Sequence, residues 1–143
     1  MRPGADRRGF SLAELAAVLA LAALLAWMGA RSWQDLVRSQ RRAEGRSGLA
    51  RAMQAQEQYF SRYGRYREYD AAAPAGFPWH SGPTPAASAY RLSAVACSDA
   101  PLEDCVQLRA EPGASAFRDS ECGMLMLDSR GRQGAQGEGG RCW

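Results

Sequence analysis

Gly9, Phe10 and Glu14 stand close enough in the chain for one cleavage to create a cation beside a lone acid. Hydrolysis of the peptide bond after Gly9 would give Phe10 a free α-amino group, which is cationic near neutral pH. Glu14 stands four residues further on, one turn along a helix. From Phe10 to Ala30 the chain runs for 21 residues with Glu14 as its single charge. A carboxylate in hydrocarbon is costly and calls for a partner. The new amine is the nearest candidate cation. Between two chains packed side by side, the same pairing would set the axial register of an assembly.

A membrane-length helix carries these groups. Twenty-one residues at 1.5 Å each give about 31 Å, the hydrocarbon thickness of a bilayer. Arg2, Arg7 and Arg8 precede the span, so the positive-inside tendency keeps the N-terminus cytoplasmic and sends residues after Arg31 across the membrane. The apolar region of an ordinary secretory signal peptide is shorter, about 7 to 15 residues. Met28, Gly29 and Ala30 also make a poor cleavage site for that pathway.

The run Arg7, Arg8, Gly9, Phe10, Ser11, Leu12, Ala13, Glu14 and Leu15 resembles the class III signal of type IV pilins and pseudopilins. The resemblance implies that residues 1–9 form a leader removed by prepilin peptidase. Gly9 and Phe10 would be the processing pair, with the new amine of Phe10 methylated, and Glu14 would guide subunits into a helical filament. Where that family commonly has a helix-breaking proline just beyond the span this chain has Arg31, and Ala23 stands where a glycine often lies.

Beyond the membrane face, Trp33, Leu36 and Val37 continue an apolar side. Leu49, Ala52, Met53, Gln56, Tyr59, Phe60 and Tyr63 then recur at spacings of three or four. Gly64 follows as a left-handed cap, so the helix is expected to span residues 10–64, or roughly 80 Å if unbroken. Gly45 and Gly48 each weaken a helix interior by about 1 kcal/mol relative to alanine, which predicts a bend or a frayed turn there. Residues 65–89 hold Pro74, Gly76, Pro78, Gly82, Pro83 and Pro85 and read as an irregular connection, the αβ-loop. Residues 90–143 read as antiparallel sheet, with alternation at Tyr90–Ala96 and Val106–Ala110, an apolar run at Met124–Leu127, and a turn- and glycine-rich remainder. The fold class is α+β: a long N-terminal helix packed on a small antiparallel sheet of three to four strands.

The chain of 143 residues fits one domain, and so small a globular part gains from covalent ties. Four cysteines allow three pairings, and none of their spacings is the close pair of a zinc knuckle. Cys97 ends one strand and Cys105 begins the next, so a Cys97–Cys105 bridge would clamp that hairpin. Cys122–Cys142 would then staple the tail to the third strand. Both lie in the exported part, where disulfides persist.

The similarity extends to PilE-like pilins through Gln56, Tyr59, Phe60, Tyr63, Gly64, Arg65 and Tyr66 at the helix end, and through Cys122, Leu125, Leu127, Asp128, Gly131, Cys142 and Trp143. It implies a structural subunit, a minor pilin of a bacterial type IV pilus serving twitching motility, adhesion or DNA uptake. The implied partners are other pilin subunits, prepilin peptidase and the inner-membrane pilus assembly machinery. The implied location is the inner membrane, with the C-terminal domain in the periplasm, and then the pilus at the cell surface. A second reading is a DNA receptor within such a pilus, and a third is a type II secretion pseudopilin.

Nucleic acid is a partner the local residues can address. Arg62, Arg65 and Arg67 interleave with Tyr63, Tyr66 and Tyr69, and Arg130 and Arg132 lie near the tail; phosphates need clustered positive charge and bases need exposed aromatics. Glu68 and Asp70 dilute the first cluster. The formal charge of +3 becomes +1 without the leader, leaving 15 arginines against 14 acids, so no general polyanion-binding surface is implied. His80 has no acid or cysteine beside it. No nucleophile with a base, no metal spacing and no phosphate-cradling glycine loop is present, so neither an enzyme nor a cofactor or metal site is expected.

Overall fold

The structure, a computed structural model, describes residues 11–113 and 117–143; Gly9 and Phe10 of the expected processing site lie outside them. One helix, α1 (Leu12–Tyr63), is followed by four strands: β1 (Tyr90–Ala96), β2 (Val106–Pro112), β3 (Leu125–Asp128) and β4 (Gln133–Ala135). The chain divides into two compact units, Met1–Val37 and Arg38–Trp143.

In the first unit Ser11 starts the helix, its Oγ accepting the Ala13 N–H at 3.2 Å, and Glu14 lies in the first turn. Leu12, Leu15, Val18, Leu19, Leu21, Leu24 and Leu25 are exposed, and this stretch is long and apolar enough to cross a membrane. The helix runs on through Arg31, whose guanidinium lies 4.7 Å from the centre of the Trp27 ring.

In the second unit the strands form an antiparallel meander in the order β1-β2-β3-β4. Period-2 alternation puts Tyr90, Leu92 and Ala94 of β1 and Val106, Leu108 and Ala110 of β2 on the inner face, all buried. The helix meets them with Arg42, Gly45, Gly48, Leu49, Ala52 and Gln56, one stripe at helical spacing. Each fully buried leucine, such as Leu49 or Leu108, contributes about 1.5–3 kcal/mol.

One expectation changes here. The helix runs through Gly45 and Gly48 with no frayed turn, because both sit where it presses on the sheet. A Cβ on Gly45 would lie 2.9 Å from ring carbons of Tyr90, and one on Gly48 would lie 3.2 Å from Ser81 Cα. Packing therefore outweighs the propensity cost. The glycine-rich stretch after Asp128 contributes β4, because its backbone pairs with Leu125–Leu127 and Trp143 Nε1 donates to the Gly134 carbonyl at 2.6 Å. The αβ-loop lies on the sheet through isolated bridges, Tyr69 with Ala94 and His80 with Arg91.

Candidate nucleic-acid interface

Gly64 ends α1 with φ +67°, donating its N–H to the Phe60 carbonyl at 2.8 Å, and turns the chain into Arg65–Arg67. That turn is pinned on two sides. The buried Gln56 amide clamps the backbone of Arg67, donating Nε2 to its carbonyl at 2.6 Å and accepting its N–H at 3.0 Å. The Tyr66 N–H donates to the Leu102 carbonyl at 2.9 Å, in the loop between β1 and β2, and the Tyr66 hydroxyl donates to Glu57 at 2.8 Å. Burial first, and then the neighbouring Glu57 carboxylate, raise the Tyr66 pKa.

The guanidiniums that this turn carries point outward. Arg62, Arg65 and Arg67 are exposed, and none of them pairs with a carboxylate among the described residues. Tyr63 is also exposed, its ring 4.4 Å from that of Tyr59, whereas Tyr66 and Tyr69 are buried. The two acids that dilute the cluster are drawn into backbone bonds: Glu68 accepts the Ala96 N–H at 3.1 Å, and Asp70 accepts those of Ala72 and Ala73 at 2.9 and 2.8 Å.

Arg130 and Arg132 stand on the turn between β3 and β4, bordering the same β1–β2 loop. The Ser129 N–H donates to the Val106 carbonyl at 3.0 Å, and Ser129 Oγ accepts the Val106 N–H at 3.3 Å. Arg130 Nη1 donates to Asp99 Oδ2 at 2.8 Å, and Arg132 Nη2 reaches the Asp99 carboxylate at 3.3 and 3.4 Å. Arg132 Nε donates to Asp128 at 2.5 Å, and Asp128 also accepts the N–H groups of Arg130 and Arg132. Asp128 is buried, which alone would raise its pKa; the bonds from Arg132 and Arg130 outweigh burial and hold it below the usual carboxylate range. The Asp99 carboxyl is held low, chiefly by Arg132.

The arginine groups at 62–67 and 130–132, separate in sequence, thus both border one loop, residues 97–105, in which Cys97 and Cys105 are disulfide-bonded. The first group faces solvent and the second is engaged by acids. Cys97, Asp99 and Cys105 bring ligand-type atoms together, but with both sulfurs in a disulfide they offer no thiolate to a metal. Sequence reasoning missed Gln56 as a clamp, although a glutamine in an apolar helical stripe is the kind of signal that could mark one. It also missed Asp99 as the acid facing Arg130 and Arg132; a carboxylate two residues into a cysteine-closed hairpin is its only trace.

A second disulfide joins Cys122 and Cys142; Arg42 of the helix holds the segment just before it through Asp119 and Glu121, and Arg46 donates to the Cys142 carbonyl at 3.1 Å. Elsewhere an open hollow of about 370 Å³ is lined by Asp70, Ala71, Ala72, Arg91, Leu92, Ser93, Arg109 and Glu111. Arg91 sits opposite Glu111 in the strand register and Arg109 Nε bonds Gln107, so the charge there is mixed. His80 places Nδ1 2.9 Å from the Gly82 carbonyl, a contact within its own loop.

A long helix whose C-terminal half packs on a four-stranded antiparallel sheet, with an apolar N-terminal half and a disulfide-closed C-terminal segment, defines a pilin-class subunit. The chain belongs to the family described as type IV minor pilin ComP, DNA uptake sequence receptor, whose model matches residues 32–126. It is a minor pilin of a type IV pilus, a structural rather than enzymatic class of protein that assembles with other pilin subunits. It is also similar to a solved type IV pilin from Shewanella oneidensis at 24% identity, covering 73% of this chain and 96% of that one, with a TM-score of 0.47. No curated protein sequence matches the chain.

Proposed function

We propose that this minor pilin is a DNA receptor of its pilus, and that Arg62, Tyr63, Arg65 and Arg67 form the surface that meets the phosphate backbone. The observation that carries the reading is the exposed arginine trio on a pinned turn, within the segment matched by a family described as a DNA uptake sequence receptor. Exposed guanidiniums suit phosphate oxygens, and an exposed ring beside them offers a base a stacking face. The pinned backbone matters because a turn already ordered loses less entropy on binding.

The rest of the reading concerns export and assembly. Prepilin peptidase cuts after Gly9 and the amine of Phe10 is methylated. The apolar span holds the precursor in the inner membrane with residues after Arg31 in the periplasm, and the assembly machinery draws it into the fibre. Glu14 pairs with the N-terminal amine of a neighbouring subunit. What supports this is the sequence pattern and the exposed apolar helix.

The test is a salt titration of DNA binding by the full chain in nonionic detergent. Three phosphate contacts predict that log affinity falls with log salt at a slope near −3, and changing Arg62, Arg65 and Arg67 together to glutamine should remove most of that slope and about tenfold or more of the affinity. Binding that ignores salt, or that survives the triple change intact, contradicts the assignment.

A further inference from the structure

We propose, on the reading of the chain as a DNA receptor, that Arg130 and Arg132 are a second phosphate-binding pair, which Asp99 occupies until a DNA backbone phosphate displaces it. The turn carrying them is built to present two guanidiniums together. Asp128, buried beneath it, accepts both of their backbone N–H groups and grips Arg132 Nε, which fixes that fork while Nη2 reaches outward. The outward edge is where Asp99 lies, its carboxylate taking Arg130 Nη1 at 2.8 Å and Arg132 Nη2 at 3.3 Å.

A carboxylate bridging two guanidiniums offers what a phosphodiester offers, two oxygens sharing one negative charge. The three side chains are open to water, 48% for Asp99, 40% for Arg130 and 57% for Arg132. So exposed an ion pair is weakly held and strips no group of solvent when broken. Asp99 sits in a loop tied at its base by the Cys97–Cys105 disulfide and at Leu102 by Tyr66, so the loop has anchors that do not depend on the pair. The turn that carries Arg65 and Arg67 meets the same loop through the Tyr66 N–H and the Leu102 carbonyl. Binding then exchanges one anion for another. The apparent salt dependence is smaller than the arginine count suggests, since the freed carboxylate gathers counterions as the phosphate releases its own.

The experiment measures anisotropy of a labelled DNA duplex with the full chain in nonionic detergent, across a salt series. Four chains are compared: wild type, Asp99→Asn, the double variant Arg130→Gln/Arg132→Gln, and the triple combination. Glu103→Gln, a neighbouring acid of the loop with no arginine partner among the described residues, reports the effect of charge alone. Near-ultraviolet circular dichroism verifies the fold of each chain.

The expected result is that Asp99→Asn tightens binding about five- to tenfold at low salt and steepens the salt slope by about one, while Glu103→Gln changes little and the double variant abolishes the gain. Wild-type binding that Asp99→Asn leaves unchanged overturns the exchange and spares the DNA reading. A gain of equal size in the double variant, or from Glu103→Gln, also overturns it, because Asp99 then acts by general repulsion. Binding by Asp99→Asn alone supports it, and binding by none of the chains overturns both readings.

Discussion

Arg42 and Asp119 form a two-point ion pair, Nε to Oδ2 and Nη2 to Oδ1, each at 2.7 Å, with the Asp119 side chain fully shielded from solvent. The pair fastens α1 to the segment just before Cys122, and Glu121 and the Tyr90 hydroxyl complete its hydrogen bonds. Burial alone would raise the Asp119 pKa; the bonds from Arg42 and from the Cys122 and Glu121 N–H groups hold it low instead.

Removing Arg42 therefore leaves a buried carboxylate without its cation. Arg42→Ala should lower stability by about 3–5 kcal/mol at pH 7. The sign with pH follows from the depressed carboxyl: its contribution is full above the ordinary aspartate value near 4 and is lost as pH falls through the lower folded value. In the variant, burial raises that pKa instead. The gap in stability between wild type and Arg42→Ala should narrow as pH falls from 7 to 3, as denaturant melts at several pH values would reveal. A constant gap contradicts the role of charge.

Gly45 presents a contest between propensity and packing. Alanine there would improve the helix by about 1 kcal/mol, but its Cβ would meet the fully buried Tyr90 ring at 2.9 Å, and overpacking costs about 1–3 kcal/mol. Gly45→Ala should therefore destabilise, by about 1 kcal/mol in a denaturant melt; a gain in stability would mean that Tyr90 can move aside.

The Cys122–Cys142 bridge closes a separation of 20 residues, for which loop entropy predicts about 3 kcal/mol. Changing both cysteines to serine should lower the melting temperature accordingly, and peptide mapping without reduction should recover the Cys122–Cys142 pair from the wild type. Recovery of Cys105 joined to Cys122 would contradict the described pairing.

Much of this fold is legible in the residues. Alternation at Tyr90–Ala96 and at Val106–Ala110 marks strands because one face is buried and the other is not, and the three- and four-residue spacing from Leu49 to Phe60 marks the packed face of the helix. What spacing hides is contact between distant segments. Gly45 and Gly48 look like helix breakers until Tyr90 and Ser81 are seen against them. Gly137 looks like slack tail, yet a Cβ there would collide with the Glu121 carbonyl while its N–H bonds the Cys122 carbonyl at 2.9 Å. Both basic groups look alike in the sequence, and only the structure separates the solvent-facing 62–67 from the acid-engaged 130–132. The pairing of Arg130 and Arg132 with Asp99 spans 31 and 33 positions and has no local signature.

Assembly gives a separate prediction. Glu14→Ala should insert normally and be processed, yet enter pili poorly, since its carboxylate is proposed to pair with a neighbour's amine. Immunoblots of sheared pili and of membranes measure both. Wild-type incorporation contradicts that role, and normal processing of a chain with a bulky residue at Gly9 contradicts the cleavage assignment.

If the subunit receives DNA through its exposed arginines, a deletion strain restored with the Arg62→Gln/Arg65→Gln/Arg67→Gln allele should reveal it in transformation frequency measured beside pilus number. Pilus number should stay at the wild-type level, while transformation falls by tenfold or more, on the order of the binding loss. Transformation fully restored by that allele would contradict it.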